Sequence, residues 1–260
     1  MNLRRMRFKL RRSLAERGMG ATLSLLWRKI LQPPGRFVDQ PKEYAEIHPF
    51  DQQFGVDTSG LLAAEDLAGN SGHTELYNAG YFGVAPSAFR NMLERLRPLF
   101  EQYTFVDLGS GKGRAMLIAS EYPFRAVCGV EISPRLHAIA LDNIARYSNQ
   151  RQQCRNITAT LGDATAYIFP PGPLLVYMWN PFEGPVFTSV LANLERSLTH
   201  EPRDVIVLYV QPNHEQLLAT SGHWRELWRD DFEMSDEDYG ACAFPKRAEP
   251  CTAFRSVLPG

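Results

Sequence analysis

The sequence predicts an α/β fold: a doubly wound, Rossmann-like sheet of seven strands, with a helical, basic N-terminal arm ahead of it. Three observations carry this. From residue 105 onward, short apolar runs alternate with helical patterns. The runs lack period-two alternation, as parallel strands covered on both faces do. A glycine-rich turn, GSGKG (109–113), follows the first run and opens a helix.

In chain order, the first element is the arm, residues 1–36. It holds ten Lys/Arg against one acid, Glu16, whereas the remaining residues sum to −10. MNLRRMRFKLRRSLAERG interleaves Leu3, Met6, Leu10 and Leu14 with arginine at helical spacing, and Pro33-Pro34-Gly35 ends a second apolar cluster. A basic amphipathic helix of this kind suits an anionic membrane surface, RNA, a targeting role, a protein partner or the acidic body of its own chain.

Residues 37–85 are polar and turn-rich, with FGVDTSG (54–60) and GNSGH (69–73) as loop signals, and are expected to form a lid or substrate-binding segment. His48 and His73 fall here and read as surface histidines. The main domain, 86–260, begins with a helix after Pro86 whose Phe89, Leu93, Leu96 and Phe100 share one face. Strands are expected at 105–108, 126–132, 157–162, 174–179 and 205–210. Helices are expected between them at about 113–121, 134–148, 184–198 and 212–220. WRELWRDDF (224–232) and CTAFRSVL (251–258) read as two late edge strands joined by an acidic loop.

Composition bounds the function. With 44% apolar and 22% charged residues, the chain reads as a soluble globular protein, and no stretch of about 18 uncharged apolar residues suggests a membrane span. Cys128, Cys154, Cys242 and Cys251 show neither paired spacing nor a ligand-like relation to the histidines. No metal site is expected, and a reducing, cytoplasmic location is, with the arm leaving room for peripheral membrane contact.

The glycines need a ligand. A phosphate-binding P-loop requires GxxxxGK[ST], but no earlier glycine has that spacing and Arg114 stands where the hydroxyl belongs. The dinucleotide fingerprint requires a third small residue, and counting from Gly109 that position is again Arg114. The pattern here is GxGxG (Gly109, Gly111, Gly113, with Ser110 between the first two), and Asp107 precedes it. An acid beneath the turn repels a pyrophosphate and suits an ammonium, which favours S-adenosylmethionine over NAD. Glu131, closing the second strand beside Ile132, is placed to accept from ribose hydroxyls. Asp163, after the third strand and beside Ala164, is placed to accept from an adenine amino group. Each acid alone has a plainer reading as a turn or helix cap. Three at successive strand ends are harder to explain that way.

DLGSGKG, GVEIS and LGDA, in this order, resemble class I S-adenosylmethionine-dependent methyltransferases across roughly residues 80–212. The SGKGR variant is similar to a bacterial group without an assigned substrate and, more distantly, to Dot1/FAM173-type protein-lysine methyltransferases. The resemblance implies a class I fold and S-adenosylmethionine as methyl donor, with S-adenosylhomocysteine as product. Asn180-Pro181-Phe182 resembles the [DN]PP[FY] loop of amino-group methyltransferases without its second proline. That implies Asn180 near cofactor and target nitrogen, and Phe182 stacked on the acceptor; the alternative is a strand-ending turn with Phe182 in the core. Tyr81 is a further candidate, orienting an acceptor through its hydroxyl, while Phe82 reads as core. A protein side chain or a small molecule is the favoured acceptor. A non-catalytic scaffold and an NAD-linked oxidoreductase remain as other readings.

Overall fold

The computed structural model describes residues 10, 11, 14, 15, 19, 47–62, 80–96, 100–243 and 246–258. The five described arm residues are helical and exposed, and the rest of the arm lies outside the described residues, as does His73.

Seven strands form one sheet in the order β3-β2-β1-β4-β5-β7-β6. They are β1 (Thr104–Leu108), β2 (Ala126–Glu131), β3 (Ile157–Leu161), β4 (Leu174–Trp179), β5 (Val205–Val210), β6 (Trp224–Glu233) and β7 (Ala248–Ser256). β1 to β5 run parallel, and β7 inserts antiparallel between β5 and β6. The helices are α1 (Pro49–Phe54), α2 (Pro86–Leu96), α3 (Arg114–Ala119), α4 (Pro134–Arg146), α5 (Gly184–His200), α6 (Glu215–Thr220) and α7 (Asp236–Gly240).

The local chemistry explains these elements. β1, β4 and β5 are almost wholly buried, which is why their sequences are continuous apolar runs. Ser133 caps α4 through its Oγ, with Pro134 in the first turn. On α2, the fully buried Ala88, Phe89, Met92 and Leu93 recur at helical spacing and face the sheet. Burying a side chain of the size of Phe89 or Leu93 stabilises the fold by about 1.5–3 kcal/mol. One apolar layer, containing α2 and α3, covers one face of the sheet, and a second, built on α5, covers the other.

Three expectations need correction. The 37–85 segment is not loop throughout: His48 caps the short helix α1, whose Phe50 and Asp51 are buried. His48 itself is 6% exposed rather than a surface residue, because α1 packs against the main domain. The acidic loop between the late strands contains α7, started by Ser235 accepting from the Asp238 N–H. Among the described residues, no helix is long and apolar enough to cross a membrane.

Candidate cofactor and active site

The strand order reverses between β1 and β4, and a cleft of about 1010 Å³, measured out to its open mouth, lies at the carboxyl ends of these strands. Asp107, Gly109, Ser110, Gly111, Glu131, Ile132, Asp163 and Ala164 all line it. Tyr81, Phe82, Pro181 and Phe182 line it too. Gly113 does not: it precedes α3 and lies against Ala140 of α4.

The glycine turn is held from below by an acid. Glu131 accepts from the Gly111 and Ser133 N–H groups, both at 2.8 Å, which ties the turn to the end of β2. Burial pushes its carboxyl up, and these backbone donors pull it part of the way back. Asp107 is 3% exposed; burial and then the nearby Glu131 raise its carboxyl well above the usual range. Asp163 caps the short 3-10 turn Ala164–Ala166, accepting at Oδ1 from the Thr165 N–H and hydroxyl. The capping role and a place on the cleft wall therefore coexist in this residue.

Side chains at two of the glycines would collide with the far wall. A Cβ on Gly109 would sit 2.7 Å from Pro181 Cβ, and one on Gly111 would sit 2.4 Å from the Tyr81 ring. Both have positive φ. The turn is thus bare because the Asn180-Pro181-Phe182 loop and Tyr81 close down on it.

The acceptor-side candidates are placed unevenly. Phe182 is buried at the wall. Asn180 does not line the cleft, although Trp179 and Pro181 on either side of it do; its Oδ1 accepts from the Tyr209 hydroxyl at 3.1 Å. Asn180 and Gln211 are the two non-glycine residues with positive φ among those described, and they stand directly after β4 and β5. Such strain costs about 1–3 kcal/mol each and gathers at functional sites. The Tyr81 hydroxyl donates to the Thr58 carbonyl at 2.7 Å, so the tyrosine presents its ring to the cleft. Phe82 is half-buried against Trp179, 6.1 Å between ring centres, packed on the edge of the core where it also lines the cleft.

The glycine turn and the start of α3 carry two cations, Lys112 and Arg114. Both are buried, and both reach back to the 47–62 segment. Lys112 Nζ meets Asp57 and the Ser59 carbonyl, each at 2.6 Å. Arg114 donates to Thr58 Oγ1 at 2.7 Å, the Thr58 carbonyl at 2.9 Å and the Val84 carbonyl at 3.3 Å, with Asp51 3.8 Å away. Asp51 in turn accepts from the Thr58 N–H at 2.7 Å and the Ser59 hydroxyl at 2.5 Å. The residue that breaks both phosphate motifs is therefore a latch between the glycine turn and the 47–62 segment.

Two further wall residues, Tyr177 and Trp179, were hidden in the apolar run of β4. The only sequence signal for them was polar atoms on alternate residues of an otherwise apolar strand. Among the described residues, no group of three His, Cys, Asp or Glu is arranged to hold a metal ion.

No family model and no curated protein matches the chain. Solved structures similar to it include the 23S rRNA methyltransferase ErmE (TM-score 0.46, 14% identity, covering 69% of this chain and 73% of that one). A putative RNA methyltransferase from Pyrococcus horikoshii has TM-score 0.47 and 15% identity, covering 66% and 84% of the two chains. The glycopeptide N-methyltransferase MtfA complexed with sinefungin has TM-score 0.49 and 11% identity, covering 69% and 96%.

Proposed function

We propose that the chain is an S-adenosylmethionine-dependent methyltransferase acting on nitrogen. The observation that carries this reading is the cleft itself: three acids from the ends of three parallel strands, Asp107, Glu131 and Asp163, surround one bare glycine turn. Arg114, the one cation lining it among the described residues, is committed to Thr58 and Val84. A pyrophosphate would meet Asp107 with no free positive group, so NAD fits poorly. An adenosyl ligand ending in an ammonium fits the same groups. The buried Ser110 Oγ and Tyr177 hydroxyl, both without a protein partner and both on cleft residues, leave donors and acceptors for it.

In this reading Asp107 faces the ammonium, Glu131 the ribose hydroxyls and Asp163, beside Ala164, the adenine. When bound, S-adenosylmethionine supplies a methyl on a positively charged sulfur for in-line displacement. The chain contributes position and exclusion of water. Tyr81, Phe82, Trp179 and Phe182 present aromatic surface at the wall, and Pro181 closes over Gly109. Asn180 is proposed to shape the loop that meets the acceptor.

An amine on a protein side chain or a small molecule suits the acidic, aromatic cleft; RNA is suggested only by the basic arm. Labelled methyl transfer to amine acceptors, run beside S-adenosylhomocysteine binding, tests the proposal. Asn180→Ala is expected to lose transfer and keep binding. Binding with no transfer from the wild type to any amine would favour a scaffold that docks through residues 1–36. Unchanged localisation on removing those residues would count against such docking.

A further inference from the structure

We infer that the Tyr177 hydroxyl, together with Asp107, is an ammonium-binding element in the floor of the cleft. This rests on the cofactor reading above and assigns a contact that neither the glycine motif nor the strand-end acids contain.

Tyr177 is 2% exposed, and its hydroxyl is buried without any hydrogen-bond partner, yet the residue lines the cleft. Leaving a buried hydroxyl unpaired is costly, so a native site that keeps one usually meets a water or a ligand there. The ring cannot turn away to find another partner. Phe89 packs against it at 4.7 Å between centres and Phe105 at 5.9 Å, and the strand is paired on both sides. The tyrosine, a residue of the cleft lining, is therefore held in place with its hydroxyl unpartnered.

The surroundings select the ligand's chemistry. Tyr177 pairs in register with Asp107 across β1 and β4, so the two side chains leave the sheet on the same face. Burial first, and then the nearby Asp107 and Glu249, push the Tyr177 hydroxyl well above its usual range, so the phenol stays protonated. Glu249 is 2% exposed and accepts from Gln211 at 2.6 Å, which anchors it behind the cleft. A hydroxyl on the same sheet face as the Asp107 carboxyl disfavours a carboxylate or phosphate there. It can accept from an N–H of an ammonium while giving its own proton to a carboxylate. The amino-acid end of an adenosyl ligand carries such a group.

Tyr177→Phe keeps the ring and its packing while removing the hydroxyl. Isothermal titration is run with S-adenosylhomocysteine and with its analogue lacking the α-amino group. The variant is expected to bind S-adenosylhomocysteine about tenfold more weakly and the desamino analogue as the wild type does. Its ligand-free melting temperature should equal or exceed that of the wild type, because an unmade buried group has gone. Combined with Asp107→Asn, the two losses should be less than additive. Wild-type affinity in Tyr177→Phe, or an equal loss for both ligands, overturns the assignment. A lowered ligand-free melting temperature with unchanged selectivity between the two ligands also overturns it, since the hydroxyl would then be structural. If the wild type binds neither ligand, the cofactor reading itself fails, and this inference with it.

Discussion

Replacing Arg114 by methionine keeps the length and apolar bulk of the side chain but removes the latch between the glycine turn and the 47–62 segment. The variant loses two good hydrogen bonds to Thr58 and a cation 3.8 Å from Asp51, whose carboxylate is 3% exposed. Asp51 keeps its bonds from Thr58 and Ser59, so it is weakened rather than orphaned. Hydrogen bonds to a charged group contribute about 1.5–3 kcal/mol each, so losing these two and weakening the Asp51 contact costs about 3–5 kcal/mol. If the chain unfolds as one unit, roughly 2–4 °C per kcal/mol gives a fall of about 6–20 °C in melting temperature. The segment 47–62 is also free to open alone, which caps the global loss and moves the effect into local exchange. Hydrogen exchange read by mass spectrometry on peptides from 47–62 separates the two. A loss of about 3 kcal/mol there raises the opening population roughly a hundredfold. Asp51→Asn and the double variant complete a cycle in which the double costs much less than the sum. Wild-type protection of 47–62 together with a wild-type melting temperature in Arg114→Met would refute the latch.

Other expectations follow from the same contacts. Asp57→Ala breaks the 2.6 Å pair with Lys112, but Asp57 is 61% exposed, so denaturant titration should show a loss below about 1 kcal/mol. Gly109→Ala forces a Cβ to within 2.7 Å of Pro181 at φ +83°; we expect about 1–3 kcal/mol of destabilisation and loss of adenosyl-ligand binding, with wild-type binding contradicting the close approach. His48 is lowered from 6.5 to about 4, by burial first and then by Arg114, against the opposing pull of Asp238 and Asp51. Its folded value lies below its unfolded one, so its contribution is full above pH 6.5 and is lost as pH falls toward about 4. His48→Gln should flatten the stability curve in that window, and an unchanged slope would show that other groups set it.

The sheet was largely legible because parallel central strands must be apolar on both faces, and FVDL, LLVYMW and VIVLYV contain little else. The acidic wall of the cleft was legible because Asp107, Glu131 and Asp163 recur at strand ends, where backbone geometry makes such groups converge. The order of the last two strands was not legible: pairing is a long-range property, and β7 reaches β5 before β6 does. Helix α1 was missed because PFDQQF is too short to show a period. Its sequence signal was the pairing of a capping His48 with Pro49 in the first turn. The role of Arg114 was hidden for a different reason. Its partners Thr58 and Asp51 lie more than fifty residues upstream, in a segment with no pattern of its own, and only the fold brings Thr58 to it. Trp179 and Tyr177 were unreadable because cleft and core impose the same residue types on β4.

The central claim is that this cleft binds an adenosyl ligand through acids at three strand ends. Titration of the wild-type chain with S-adenosylhomocysteine and, separately, with NADH tests it most directly. The account predicts saturable one-to-one binding of S-adenosylhomocysteine, weakened at least tenfold by Glu131→Ala, with no binding of NADH. Binding of NADH in place of S-adenosylhomocysteine, or no binding of the adenosyl ligand at all, would contradict it.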